Sequence, residues 1–250
     1  MSDDRLAREQ EFHDARFAQG AALRPADRFY ALNRGSDGFF RDALNRLPPG
    51  SLVLDYGCGE GAYAAIHAAG RGLSVTAIDL SPVAIEHARD RARAAGVESL
   101  IDFRIMNAEA LELGSATFDF VCGLGVIHHL DLEASLAEVA RVMRPAASAV
   151  FVEPLGHNPA INLYRRSTPA QRTVDEHPLR MTDLSLIARR FGVVEATYFH
   201  FLGLLAFPLR NTRYFDGALA ALDTLDKTVL RTRVRRFAWM IGLRLSQPIT

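Results

Sequence analysis

A short apolar run, Leu52 to Tyr56, passes through Asp55-Tyr56-Gly57-Cys58-Gly59-Glu60-Gly61 into a helical pattern from Ala62 to Ala69. Glycines at alternate positions let the backbone turn sharply and come within contact distance of a ligand. A strand that ends in such a loop and feeds a helix opens a strand–helix–strand unit. A chain built of such units folds as a parallel sheet covered by helices on both faces.

The remaining sequence repeats that alternation. Helices are expected over Asp4 to Phe17, about Pro25 to Tyr30, and Gly38 to Leu47, stopped by Pro48-Pro49-Gly50. Leu73 to Asp79 reads as a second strand, followed by a helix to Ala95 that Ser81 caps and Pro82 opens. Ile101 to Met106, Phe118 to Cys122 and Ala147 to Glu153 read as further strands, with a helix over Leu132 to Met143. Later come a helix at Leu184 to Arg190, a strand at Val193 to Phe199, helical residues 216 to 235 and a last strand at Phe237 to Leu245. The expected fold class is α/β, a Rossmann-like three-layer sandwich. Sheets of this kind bind ligands at the carboxyl ends of their strands, where strand order reverses.

Charge narrows the partners. Twenty-nine basic and 29 acidic residues leave no net charge, so no global field gathers nucleic acid, and none is expected as a partner. Cys58 and Cys122 are too few for a disulfide framework and suit a reducing compartment. Residues 1 to 10 are charged and lack the apolar stretch of a secretory signal. The longest apolar run, Phe199 to Leu209, is interrupted by His200, Gly203 and Pro208 and is too short to span a bilayer. A cytoplasmic protein of one domain is expected, with residues 1–48 as a helical cap, 50–155 as the binding core and 156–250 as an acceptor-binding and lid portion. A homodimer is left open.

The loop's acids choose among nucleotides. Asp79 ends the second strand, where a carboxylate accepts both hydroxyls of an adenosine ribose. A dinucleotide would share that feature, but its pyrophosphate wants donors and positive potential at the helix start. Here Asp55 precedes the first glycine and Glu60 lies inside the loop, an arrangement that favours an ammonium group. The spacing is also Gly-x-Gly-x-Gly rather than the Gly-x-Gly-x-x-Gly of dinucleotide folds.

Five segments in order, Val53 to Gly61, Val75 to Ser81, Asn107 to Leu111, Phe118 to Leu130 and Arg141 to Pro145, resemble the motifs of class I S-adenosylmethionine-dependent methyltransferases. The resemblance implies a seven-stranded, mostly parallel sheet with the last strand antiparallel, and helical N-terminal and C-terminal lid segments. It implies S-adenosyl-L-methionine as cofactor and S-adenosyl-L-homocysteine as product. Asp55 and the backbone of Gly57, Cys58 and Gly59 would hold the methionine amino end, and Asp79 the ribose. Leu80 would pack on the adenine, with Asn107, Ala108 and Glu109 along its edge and Gly123 and Leu124 by the methionine tail. Asparagine at 107 departs from the usual aspartate, and Ala146-Ala147 departs from a pair of glycines on an expected turn.

Methyl transfer from a sulfonium needs alignment and exclusion of water, and a base only where the acceptor carries a proton. His128 and His129 follow the fourth strand, and His128 is the first candidate for that base, with Glu153 to orient it or bind the acceptor. His13, Tyr30, His157, Tyr164, Arg172 and His177 are candidates for a small-molecule acceptor site. An apolar lid points to a hydrophobic acceptor whose methylated atom is oxygen or nitrogen, with carbon also open. No metal ligand set is expected. The alternative is a protein of the same fold that binds the cofactor to sense it or to catalyse a rearrangement without methyl transfer.

Overall fold

The computed structural model describes residues 2–18, 29, 31–173 and 175–250. Seven strands form one sheet: β1 (Leu52–Tyr56), β2 (Ser74–Asp79), β3 (Ile101–Ile105), β4 (Phe118–Leu124), β5 (Met143–Pro154), β6 (Phe191–Phe199) and β7 (Met240–Pro248). Their spatial order is β3-β2-β1-β4-β5-β7-β6. β7 runs antiparallel to both neighbours, β5 and β6, and the other pairings are parallel. The order reverses between β1 and β4, so the carboxyl ends of those strands open a crevice.

Alternation along the central strands sorts the core into two layers. Leu54, Val121, Ala149 and Phe151 point to one face of the sheet, and Val53, Phe120, Cys122, Val150 and Val152 to the other. The first face is covered by α5 (Leu132–Val142), through Leu136, Val139 and Ala140. The second is covered by α2 (Arg34–Asn45), α3 (Tyr63–Gly70) and α4 (Pro82–Ala94). α3 and α4 meet the sheet largely through alanines, among them Ala64, Ala65, Ala68, Ala88 and Ala92. Small contacts bring those helices close to the strands and set the helix starts near the crevice.

Local chemistry accounts for the helix starts. Ser81 Oγ accepts the Ala84 N–H at 3.0 Å with Pro82 in the first turn, and Asp131 accepts the Ala134 N–H at 2.9 Å. Asn158 caps α6 (Pro159–Ser167) by accepting from Ala160 and Ile161. Asp226, buried in α8 (Phe215–Val229), accepts the N–H groups of Phe201, Leu202 and Gly203. That one carboxylate anchors the start of the 3-10 segment Leu202–Leu209, whose apolar residues pack with Leu32, Phe215 and Leu219 in a small core of their own.

Several boundaries differ from the sequence expectations. α5 ends at Val142 and β5 begins at Met143, so Ala146 and Ala147 lie in extended chain and not on a turn. The register of β4 against β5 shifts between Phe118 and Phe120, which absorbs the extra strand residues. The late helix stops at Val229, a separate 3-10 turn covers Arg233–Phe237, and β7 starts at Met240. Leu184 to Arg190 forms only a short helix, α7 (Asp183–Ile187). The helix expected over residues 25–30 falls almost wholly outside the described residues.

Candidate active site

The loop after β1 is bent as its glycines allow. Gly57 and Gly59 take φ of +73° and +57°, in the left-handed region. A Cβ on Gly57 would overlap the Val126 side chain, so the close approach of the β1 and β4 loops also requires glycine. Gly123 is packed as tightly: a Cβ there would lie 2.6 Å from Val126 Cγ1 and 2.9 Å from the Tyr56 carbonyl. The Cys58 N–H donates to Ile78 O at 2.8 Å, tying the loop to the end of β2.

Above this loop lies a cavity of about 360 Å³, the size that holds a nucleoside-type ligand. The β1 loop, Asp79, Leu80, Met106, Asn107 and Ala108 form its floor. α1 (Ser2–Ala18) forms its roof with Arg5, Leu6, Glu9, His13, Arg16 and Phe17. The carboxylates have distinct states. Asp79 accepts the Gly59 N–H at 2.8 Å and the Ser81 N–H at 3.0 Å, and lone pairs remain on both oxygens. Burial pushes its carboxyl up, against those two hydrogen bonds. Asp55 accepts the Ala65 N–H at 2.9 Å; burial, and then the charge of Asp79, raise its carboxyl to about 7. Two desolvated acids facing one cavity favour a cation between them. Burial also keeps the Cys58 thiol protonated, which excludes a thiolate nucleophile there.

Glu60 contributes less to this charge than its place in the loop suggests. His87 Nδ1 lies 3.4 Å and Arg91 Nη2 3.9 Å from its carboxylate, and Arg91 itself reaches the cavity. The repulsion of phosphate therefore rests on Asp55 and Asp79.

A second cavity of about 410 Å³ adjoins the first and shares Arg16, Leu124, Gly125 and His129 with it. Phe12, Phe29, Tyr164 and Trp239 supply aromatic walls. His128 faces it from the turn after β4. Its Nδ1 lies 2.6 Å from Glu153 Oε2, while Glu153 Oε1 accepts the N–H groups of Val126 and Ile127. Glu153, at the end of β5, is wholly buried beneath the histidine and does not line the cavity. His128 Nε2 is 3.8 Å from Glu176 Oε1, and Arg165 holds that second carboxylate at 2.8 Å. The contact with Glu153 engages Nδ1 and leaves Nε2 on the side of Glu176 and the cavity.

His129 turns to α1. Its Nδ1 lies 3.3 Å from Glu9 Oε2, and His13 Nε2 lies 3.5 Å from the same oxygen. Burial and the neighbouring His128 hold the His129 imidazolium below the ordinary range. Burial raises the Glu9 carboxyl, but the nearby polar groups of His129, His13 and Thr173 outweigh it and hold it well below the usual carboxylate range.

Other expected site residues lie elsewhere. Glu109 is bound by the Arg5 guanidinium and accepts the Asp131 N–H at 2.7 Å, so it fastens α1 instead of edging the cavity. Gly123 makes room beneath the loop, while Leu124 reaches both cavities. His157 accepts the Met181 N–H, and His177 Nδ1 contacts Asp175 O; neither lines either of these two cavities. Tyr164 and Arg172 do line the second, although Arg172 Nη1 is engaged with the Arg165 and Thr168 carbonyls. Tyr30 lies outside the described residues. Glu9, Arg5, Met106 and Trp239 were not anticipated from sequence. Only the i, i+4 spacing of Glu9 and His13 beside Phe12 and Arg16 marked that face of α1.

Known proteins place this arrangement. A family model described as a methyltransferase domain matches residues 54–151. The ubiquinone biosynthesis O-methyltransferase of Xanthomonas axonopodis pv. citri is 30% identical over 170 residues, 64% of this chain and 69% of that protein. Other curated relatives match over shorter stretches, and the chain spans about two fifths of the length of the leading ones. Among solved structures, the phosphoethanolamine N-methyltransferase 2 of Haemonchus contortus aligns with a TM-score of 0.65 at 16% identity, over 95% of this chain and 60% of that one. The [4+2]-cyclase SpnF aligns with a TM-score of 0.55 at 17% identity, over 84% and 81%. At such identities these two structures speak for the fold alone.

Proposed function

Because the chain belongs to the class I S-adenosylmethionine-dependent methyltransferases, we propose that it methylates a hydroxyl of a small, largely hydrophobic metabolite by in-line displacement. The observation that carries this reading is the junction of the two cavities at Leu124, Gly125 and His129. One side presents buried acids and glycine backbone, and the other an imidazole against aromatic walls.

The residues fit the cofactor. The carboxylates of Asp55 and Asp79, the left-handed glycines and the side chain of Asn107 offer an ammonium, a ribose and an adenine the partners that each needs. When bound, S-adenosylmethionine supplies a methyl group on a sulfonium leaving group. The chain's own work is alignment and exclusion of water. Leu80 and Met106 would supply apolar contacts to the cofactor's adenine, and α1 forms the roof of the cavity. His128 Nε2 takes the acceptor's proton, and Glu153 and Glu176 on either side steady the imidazolium. Phe29, Tyr164 and Trp239 hold the acceptor's apolar body.

Incubation with cofactor labelled in its methyl group and a metabolite extract, followed by mass spectrometry, tests the reading. A labelled product that His128→Ala fails to form is the expected outcome. Tight cofactor binding with no labelled product in any extract would leave the rearrangement or sensing alternative in its place.

A further inference from the structure

Glu9 presents an unusual combination. Its side chain is buried, yet neither carboxylate oxygen receives a hydrogen bond of good geometry, and neither does His129 Nδ1 opposite it. Two imidazole nitrogens converge on Glu9 Oε2 without well-formed hydrogen bonds, His129 Nδ1 at 3.3 Å and His13 Nε2 at 3.5 Å, an arrangement that a shared cation would satisfy. The ligand atoms of Glu9, His13 and His129 all lie within 4.8 Å of one another.

From this geometry we propose that Glu9, His13 and His129 form a divalent-metal site of the zinc type, in which an ion fastens α1 to the turn after β4. Bonds of about 2.0–2.2 Å in a tetrahedral site put neighbouring ligand atoms roughly 3.3–3.5 Å apart. The two edges from Glu9 Oε2 are 3.3 Å to His129 Nδ1 and 3.5 Å to His13 Nε2. The third edge, between the two imidazoles, is no longer than 4.8 Å. Glu9 and His13, four residues apart, share one face of α1, and His129 approaches from the opposite wall. Two imidazoles and one carboxylate leave the fourth position open, the ligand count of a reactive zinc site rather than a closed structural one.

A neighbouring triad, His128, His129 and Glu176, falls within the same distance limit but is a poorer site. Arg165 already pairs with Glu176 at 2.8 Å, and Glu153 holds His128 Nδ1. Glu9 instead faces the two imidazoles of His13 and His129. His129 lines both cavities and Glu9 and His13 the first, so an ion held there sits on the first cavity's side of their junction. The open position would then accept a water or an acceptor oxygen, and a hydroxyl bound to such an ion loses its proton more readily. That use rests on the methyl-transfer reading, whereas occupancy of the site does not.

Cobalt provides the probe, in the full chain stripped with a chelator and without substrate. Titrated Co²⁺ is expected to bind at one equivalent with the visible absorption of a four-coordinate ion, and Zn²⁺ should displace it. Glu9→Gln and His13→Ala should each weaken uptake by more than about tenfold, while His157→Ala leaves it unchanged. Bound Zn²⁺ should also slow tryptic cleavage at Arg5, Arg8 and Arg16. Absence of uptake by the wild-type chain, or equal affinity in both α1 variants, overturns the proposal. Because none of these readouts needs catalysis, a failure here is distinct from a failure of methyl transfer.

Discussion

His128 Nδ1 lies 2.6 Å from Glu153 Oε2, and the other oxygen of that carboxylate accepts two N–H groups from the turn that carries the histidine. One buried acid thus fixes both the imidazole and the backbone beneath it. His128→Ala is expected to lower turnover by about 10²–10⁴-fold while leaving cofactor affinity near the wild-type value. Glu153→Gln should lower kcat and leave KM for the cofactor unchanged. Equal turnover in His128→Ala, measured by product formation at saturating cofactor, would remove the histidine as base.

Asp79 does two jobs at once, holding Gly59 and Ser81 while facing the cavity. Asp79→Ala removes a ribose acceptor and releases the loop. Titration calorimetry should show S-adenosylhomocysteine binding weakened by about 100-fold or more, since hydrogen bonds to a charged group contribute roughly 1.5–3 kcal/mol each. Unchanged affinity would defeat the assignment of this cavity to the cofactor.

Asp55 gives binding a pH dependence. In the ligand-free protein its carboxyl stands near 7, raised first by burial. Above that pH it is ionised and ready for an ammonium; below it, the ligand must displace a proton. Affinity for S-adenosylmethionine should peak between about pH 7 and 8, fall toward tenfold per unit below that as Asp55 takes up a proton, and fall above it as the ligand's ammonium loses one. Stability runs the other way. Between about pH 3.8 and 7 the folded state holds a proton that the unfolded state has lost, so this residue's contribution falls as pH rises through that window. Asp55→Asn should flatten both curves, lower affinity and raise the ligand-free Tm at pH 8.

Gly57 takes a left-handed φ where a side chain would overlap Val126. Gly57→Ala should cost about 1–3 kcal/mol in stability, read by denaturant unfolding. Val126→Ala should restore part of that loss in the double variant, because it clears the overlap but not the backbone strain. A double variant no more stable than additivity predicts would show that the overlap contributes nothing.

The binding core was legible because its signals are local. Strand, loop and helix around Asp55 to Gly61 follow from glycine spacing, and Asp79 from its place at a strand end. What escaped the sequence depends on long-range packing. Glu109 sits beside Asn107 in the chain, but Arg5, more than a hundred residues earlier, takes its carboxylate. Glu60 reads as an exposed anion until α4 brings His87 and Arg91 to it. His157 and His177 read as acceptor ligands but satisfy nearby backbone groups instead. The start of β5 escapes because extended chain beside a register shift carries no capping residue to mark it.

α1 is roof to the first cavity and wall to the second, and it is held by polar clasps at Glu109, at Asp175 and through Asp14 at Ser81. Loosening these clasps widens the way into and out of the first cavity. Added salt, which loosens the exposed Arg8–Asp175 clasp, should therefore quicken turnover wherever product departure limits the rate.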